Sequence, residues 1–181
     1  MIEDPRRIST LRTRLRPLAP EDLSATFALW TDPGVRRYLW DDVTIDEGRA
    51  AEVLESSREH FDRHGFGLWA VCDPASSSLM GVCGFRPTAD GAPEFLFAFW
   101  PCYWGQGLAN EAGRAVIDYV FDVLDRPEIV AATDVPNRAS AKALERLGMQ
   151  FERRGTMNGL DTLFFRLTRD GRPQTNRVAP A

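Results

Sequence analysis

The sequence predicts an α/β domain: a mixed, largely antiparallel central sheet of about seven strands, with helices on both faces and a βαβ unit near its middle. Three observations carry this. Strand-like runs at Leu68 to Cys72, Met80 to Phe85 and Glu94 to Trp100 follow one another across short turns, as in a meander. The third run, apolar in every residue but its first, reads as a strand buried on both faces. A glycine-containing loop, a strongly amphipathic stretch and a second buried run, Ile129 to Thr133, come next, which is the order of a βαβ unit.

The remaining elements follow from local signals. Leu11 to Pro17 alternates Leu and Thr with Arg and predicts a half-buried strand. Pro20-Glu21-Asp22 opens a helix, with Pro early and acids in the first turn, and Asp32-Pro33-Gly34 stops it. A second helix over Ile45 to Arg63 carries Ala50, Val53, Leu54 and Phe61 at helical spacing, and Gly65 and Gly67 end it. In the βαβ helix, Leu108, Ala112, Ala115, Val116, Tyr119, Val120 and Val123 form the predicted inner face. Asn137 caps a short helix that Gly148 ends. Gln150 to Arg154 and Leu160 to Leu167 close the domain as a strand pair. The predicted organisation is a loose leader over 1–10, a domain over 11–167 and a flexible tail over 168–181.

Composition excludes several classes. A net charge of −4 and a pI near 5.3 argue against a general nucleic-acid binder. Three scattered cysteines make neither a disulfide scaffold nor a zinc site, and His60 and His64 lack the HExxH context of a metal pair. No metal is expected. The N-terminal arginines have no apolar run behind them, so no signal peptide or membrane association is expected, and the cytoplasm is the default compartment. Monomer and homodimer both fit the sequence.

The chemistry starts at Gly105 and Gly107, between a buried strand and a helix start. Glycine permits a tight turn and a close backbone approach, and the helix end offers free N–H groups and a positive dipole. Together they make an anion site suited to a phosphate or pyrophosphate. A dinucleotide fingerprint is half matched, with Asp134 ending the next strand, but Asn110 replaces the third glycine and the connection is too long. A Walker A loop fails because no Gly-Lys-Ser/Thr follows.

The string Tyr103-Trp104-Gly105-Gln106-Gly107-Leu108-Ala109-Asn110-Glu111-Ala112 resembles the acetyl-CoA loop of the GCN5-related N-acetyltransferases (GNAT), and in particular their RimJ/RimL branch. Asn137-Arg138-Ala139-Ser140 with Leu144-Glu145-Arg146-Leu147-Gly148-Met149 resembles a later helix of that family. Leu15-Arg16-Pro17-Leu18, Asp32-Pro33-x-Val35 and Gly81-Val82-Cys83-Gly84-Phe85 resemble its earlier blocks. The blocks run in the family's order over about residues 10–167.

The resemblance implies a GNAT-like fold and transfer of acetyl from acetyl-CoA to a primary amine, on a peptide N-terminus or a small molecule. It implies that Trp104, Gly105, Gln106, Gly107, Leu108, Ala109 and Asn110 hold the CoA pyrophosphate, largely through backbone N–H groups, since Trp104 stands where Gln or Arg is usual. Backbone groups of Phe97, Ala98 and Phe99 would pair with the pantetheine arm. Asn137 would touch that arm, cap its helix, or both; Arg138, Lys142 and Arg146 would reach phosphates or remain surface charges. Glu94 is the expected base and Ser140 the expected acid, because Leu144 replaces the family's tyrosine. Tyr38, Trp40, Trp69 and Phe85 are the expected acceptor walls, with Trp30 and Phe66 as further aromatic candidates and Asp41 and Asp42 as attractors of a cation. Cys102 is a weaker candidate for an acyl-enzyme route. The alternative function is a non-catalytic acyl-CoA sensor of the same fold.

Overall fold

A computed structural model describes residues 4–173. Its elements, in chain order, are β1 (Ile8–Ser9), β2 (Arg14–Pro17), α1 (Leu23–Thr31), α2 (Pro33–Leu39), α3 (Glu47–His64), β3 (Leu68–Cys72), β4 (Leu79–Pro87), β5 (Pro93–Phe99), α4 (Leu108–Asp122), β6 (Glu128–Asp134), α5 (Arg138–Arg146), β7 (Gln150–Met157) and β8 (Leu160–Thr168). The strands form one eight-stranded sheet in the order β1-β2-β3-β4-β5-β6-β8-β7. Every neighbouring pair is antiparallel except β5 with β6, which is the parallel βαβ pair.

Helices cover both faces, and each face has its own core. One face packs α4 and α5 through Ala112, Val116, Ile117, Val120 and Leu144, with Leu147 just after α5, onto Phe95, Phe99 and Phe165. The other packs α1 to α3 through Leu29, Trp30, Val35, Ala50 and Leu54 onto Ala70, Val82 and Ala98. Side-chain alternation in β5 feeds both: Phe95 and Phe99 belong to the first core and Ala98 to the second.

Several expectations are corrected. Asp32-Pro33-Gly34 stops α1 but also starts α2: the Asp32 side chain accepts from the N–H groups of Gly34 and Val35, and Pro33 takes the first helical position. The expected strand over Leu11 to Pro17 begins only at Arg14. Leu11 turns outward and is 91% exposed, while Thr13 and Leu15 are buried. Of the expected inner face of α4, Val123 falls just past the end of the helix and is exposed, and Ala115 is half-buried; Gly113, Ile117 and Phe121 take inner positions.

The described parts of the expected leader and tail, 4–10 and 168–173, bond to the domain. Ile8 pairs with Leu15, and the Trp69 indole N–H donates to the carbonyl of Arg6 at 2.7 Å. A two-residue strand leaves no periodicity to detect. After β8, Arg169 donates to the carbonyls of Phe121 and Arg126, and Arg172 bonds Asp122 at 2.8 Å. The part of the expected tail over 174–181 lies outside the described residues, as do residues 1–3.

Removing residues 1–7 takes the acceptor from the Trp69 N–H. We expect a loss of about 1–3 kcal/mol, the usual cost of an interior donor losing its partner. Urea unfolding measures it. The same truncation on a Trp69→Phe background should cost clearly less.

Candidate active site

The opening in the sheet lies between β5 and β6. Trp100 donates its main-chain N–H to Met80 at 3.1 Å. By antiparallel alternation the even residues of β5 therefore bond to β4, and Phe95, Phe97 and Phe99 turn their N–H and C=O groups toward β6; the expected pairing of Ala98 with the pantetheine arm is corrected, because its main-chain groups belong to the β4 ladder. The register of β5 with β6 pairs Glu94 with Val130 and, among the described residues, goes no further. Past that point the two parallel strands splay apart, at their carboxyl ends, where open α/β sheets take ligands.

The loop after β5 borders this opening. Gly105 and Gly107 sit at φ +73° and +76°, a region L-residues rarely adopt, and neither has backbone near its missing Cβ. Gly107 is the N-cap of α4, and no side chain caps that end. Leu108 is buried and Ala109 half-buried beneath it, so the first turn is anchored while its N–H groups stay available. Asn110 is turned aside, its amide donating to the Ala143 carbonyl at 2.9 Å and tying α4 to α5. The Gln106 amide donates to Cys102. This cradle fits a phosphate group.

Trp104 has a defined task. Its indole N–H donates to the Phe99 carbonyl at 2.7 Å, capping one of the main-chain groups that the splay leaves unpaired. Its ring also lies against Gly34 at the start of α2. Asn137 caps α5 through its side-chain oxygen, which accepts from the Ser140 N–H at 3.2 Å. Ser140 is half-buried; Lys142, Arg138 and Arg146 are exposed on the same helix. Leu144 is core.

On the opposite face, Glu94 heads β5, with its side chain mostly covered and bonded to Arg86 at 2.7 Å. Val130, Ala132 and Asp134 alternate along β6 onto this same face and are half-buried, beyond the cover of α1 to α3. The loop after α2 approaches here. Asp41 and Asp42 both adopt positive φ, 52° and 61°, and Arg36 holds the loop by binding Asp42 at 3.2 Å and Thr44. Burial, and then the Asp41 carboxylate, push the Asp134 carboxyl above the usual range. The Asp41 charge acts on Asp134 from 93 residues away in the chain, a separation that no local sequence pattern signals.

The expected acceptor walls divide. Tyr38 and Trp40 are half-buried at the end of α2, and the Trp40 indole N–H is buried without a protein acceptor. Trp69 and Phe85 are corrected: both are wholly enclosed in the core beneath α4, where they offer a ligand no surface. Trp30 and Phe66 are likewise interior. Cys102 is exposed in the loop. Arg12 was not anticipated: its guanidinium donates to the Gln106 carbonyl at 2.9 Å.

A mixed sheet split at a parallel pair, with an anion cradle at the mouth, is an acetyltransferase architecture. The family model for the acetyltransferase (GNAT) domain matches residues 12–150, and the chain belongs to that family. An uncharacterized N-acetyltransferase, p20, of Bacillus licheniformis is 27% identical over 79% of this chain and 82% of its own. The spermidine N(1)-acetyltransferase of Escherichia coli K12 is 26% identical over 77% and 73%. The structure of the Vibrio cholerae spermidine N-acetyltransferase, in complex with CoA and spermine, matches with a TM-score of 0.73 at 20% identity, over 90% of this chain and 98% of that one. Acetyl-CoA is the donor of this family.

Gly107→Ala should weaken CoA binding by roughly tenfold, because a left-handed non-glycine residue costs about 1–2 kcal/mol. Titration calorimetry reads this directly. Unchanged affinity would show that the loop does not hold the ligand.

Proposed function

We propose that the protein transfers acetyl from acetyl-CoA directly to a cationic primary amine, on a small molecule or a peptide N-terminus, in the manner of the RimJ/RimL-like branch. The observation that carries this is the splay of β5 from β6 with the glycine cradle at one side. It gives an extended donor a path between the two faces of the sheet. In this reading Gly105 to Asn110 hold the pyrophosphate, with Lys142 as the nearby cation. The free main-chain groups of Phe97 and the N–H of Phe99 pair with the pantetheine arm, and Ala98 closes the opposite face. Bound acetyl-CoA supplies an activated thioester.

The residues then divide the work. An N–H on β5 polarises the thioester carbonyl as charge develops on its oxygen. Glu94 takes the proton from the ammonium, directly or through water, so that a neutral amine attacks. Ser140 donates toward the departing thiolate from the α5 side; a thiol of pKa near 8.5 needs little help. Tyr38 and Trp40 wall the acceptor, and the buried Trp40 N–H, which has no protein acceptor, is the donor on that wall. Asp41 and Asp134 favour an acceptor with more than one positive charge, as polyamines are. The relative named for spermidine accords with that choice.

The test is thiol release from acetyl-CoA across polyamines, amino acids, amine antibiotics and peptides with ribosomal-protein N-termini, with mass spectrometry locating the acetyl group. Turnover should be greatest on a multiply charged amine. Binding of acetyl-CoA with no turnover on any amine would favour a sensor instead.

Two variants sharpen this. Glu94→Gln should lower turnover more at low pH than at high pH, where the amine is already neutral; an unaltered pH–rate profile removes Glu94 from the proton path. Asp134→Asn makes a paired statement. The Asp134 pKa is raised on folding, so the group favours the folded state at acid pH and loses that contribution as pH rises through the carboxylate range. At neutral pH the variant should therefore be at least as stable as the parent, while its KM for a polyamine rises several-fold. Unchanged KM, read by steady-state kinetics, separates Asp134 from acceptor binding.

A further inference from the structure

The N-terminal segment reaches the glycine loop through one residue. The main-chain N–H of Arg12 donates to Glu111 Oε1 at 2.7 Å, its Nε to Glu111 Oε2 at 2.7 Å, and its Nη1 to the Gln106 carbonyl at 2.9 Å. The Thr10 hydroxyl donates to Glu111 Oε1 at 2.6 Å. Burial pushes the Glu111 carboxyl up, but the bonds from Thr10 and Arg12 outweigh it and hold the group below the usual range. Glu111 is thus a carboxylate.

This arrangement answers two difficulties. Glu111 lies in the first turn of α4, the end of the helix that faces the anion. Alone, a carboxylate there competes with the ligand for the positive dipole and repels it. Arg12 cancels that charge with a two-pronged contact. The second difficulty is the loop itself, whose glycines leave its peptide planes free to rotate. In a trans peptide the C=O and the following N–H point in opposite directions. Arg12 holds the Gln106 carbonyl on its own side of the loop, so the Gly107 N–H must face the other way, into the cradle.

We propose that Arg12 is a positioning residue for the acetyl-CoA pyrophosphate: clamped to Glu111 and to the Gln106 carbonyl, it neutralises the first-turn acid and fixes the Gly107 amide toward the phosphates. The proposal rests on the reading of the glycine loop as the pyrophosphate site. It places a residue from before β2 in the donor site, behind the loop rather than against the ligand.

The experiment compares two donors, acetyl-CoA and S-acetylpantetheine, which keeps the thioester but has no pyrophosphate. Arg12→Gln should raise KM for acetyl-CoA by about tenfold or more, the usual consequence of breaking a charged hydrogen-bonded pair, with kcat within about twofold. On S-acetylpantetheine its kcat/KM should match the parent. Adding Glu111→Gln to Arg12→Gln should recover part of the lost affinity, because the uncompensated carboxylate is gone. If Arg12→Gln does not fold, Arg12→Lys serves the same comparison: it keeps the charge but cannot fork to both partners. Equal losses on both donors would mean a merely structural role and overturn the proposal, as would no loss on acetyl-CoA. A parent protein that binds no acetyl-CoA would overturn the loop reading as well.

Discussion

The structure depends on an unfinished strand pairing. β5 is bonded along its length to β4, and β6 along its length to β8. Each has one edge left, and these edges face each other in the middle of the sheet. They join at Glu94 and Val130 and then part. Interior main-chain groups must find partners, so this gap cannot be neutral. Trp104 satisfies one carbonyl, that of Phe99. The groups left over make the split a place that a molecule with its own amides can complete. A sheet closed along this seam would be more regular and would have no such place.

Both cores hold the seam open. Phe95 and Phe99 are anchored under α4, and Ala98 is anchored under α1 to α3, so β5 cannot swing toward β6 without emptying one side. Ile129 and Ala131 anchor β6 in the core under α4 in the same way. The helices also give the two faces different surroundings. On the face of α4 and α5 lie the glycine loop and the capped start of α5. On the other face, the half-buried stretch of β6 ends at Asp134. The seam is the place where these two surroundings come nearest to each other across the sheet.

Much of this was legible in the sequence because it rests on local rules. The glycines at positive φ, the Asn137 cap, the αL Gly148 and the apolar runs of β3 to β6 each announce themselves within a few residues. What was illegible depends on chain distance or on which core an apolar residue joins. Trp69 and Phe85 looked like pocket walls, since an aromatic in a strand has the same signature in a core as in a cleft. Asp32-Pro33-Gly34 signalled a stop, yet the same three residues suit a start, and only the following turns distinguish them. Arg12 looked like one more exposed arginine in an alternating strand. Its meaning depends on Glu111, 99 residues away.

Trp104 and Arg12 also explain each other. The family's usual Gln or Arg at the loop's first position would face the phosphates as a donor or cation. In this chain that position is given to an indole that caps Phe99 and leans on Gly34, so it is committed to the seam and to α2. The nearest guanidinium to the loop then approaches from behind, where it acts on the peptide and on Glu111. A charge behind the loop does not add a direct bond to the ligand. It removes an opposing charge and fixes an amide, and both effects are present before the donor arrives. In the proposed reading, affinity gained in this way comes from a loop already in its binding conformation.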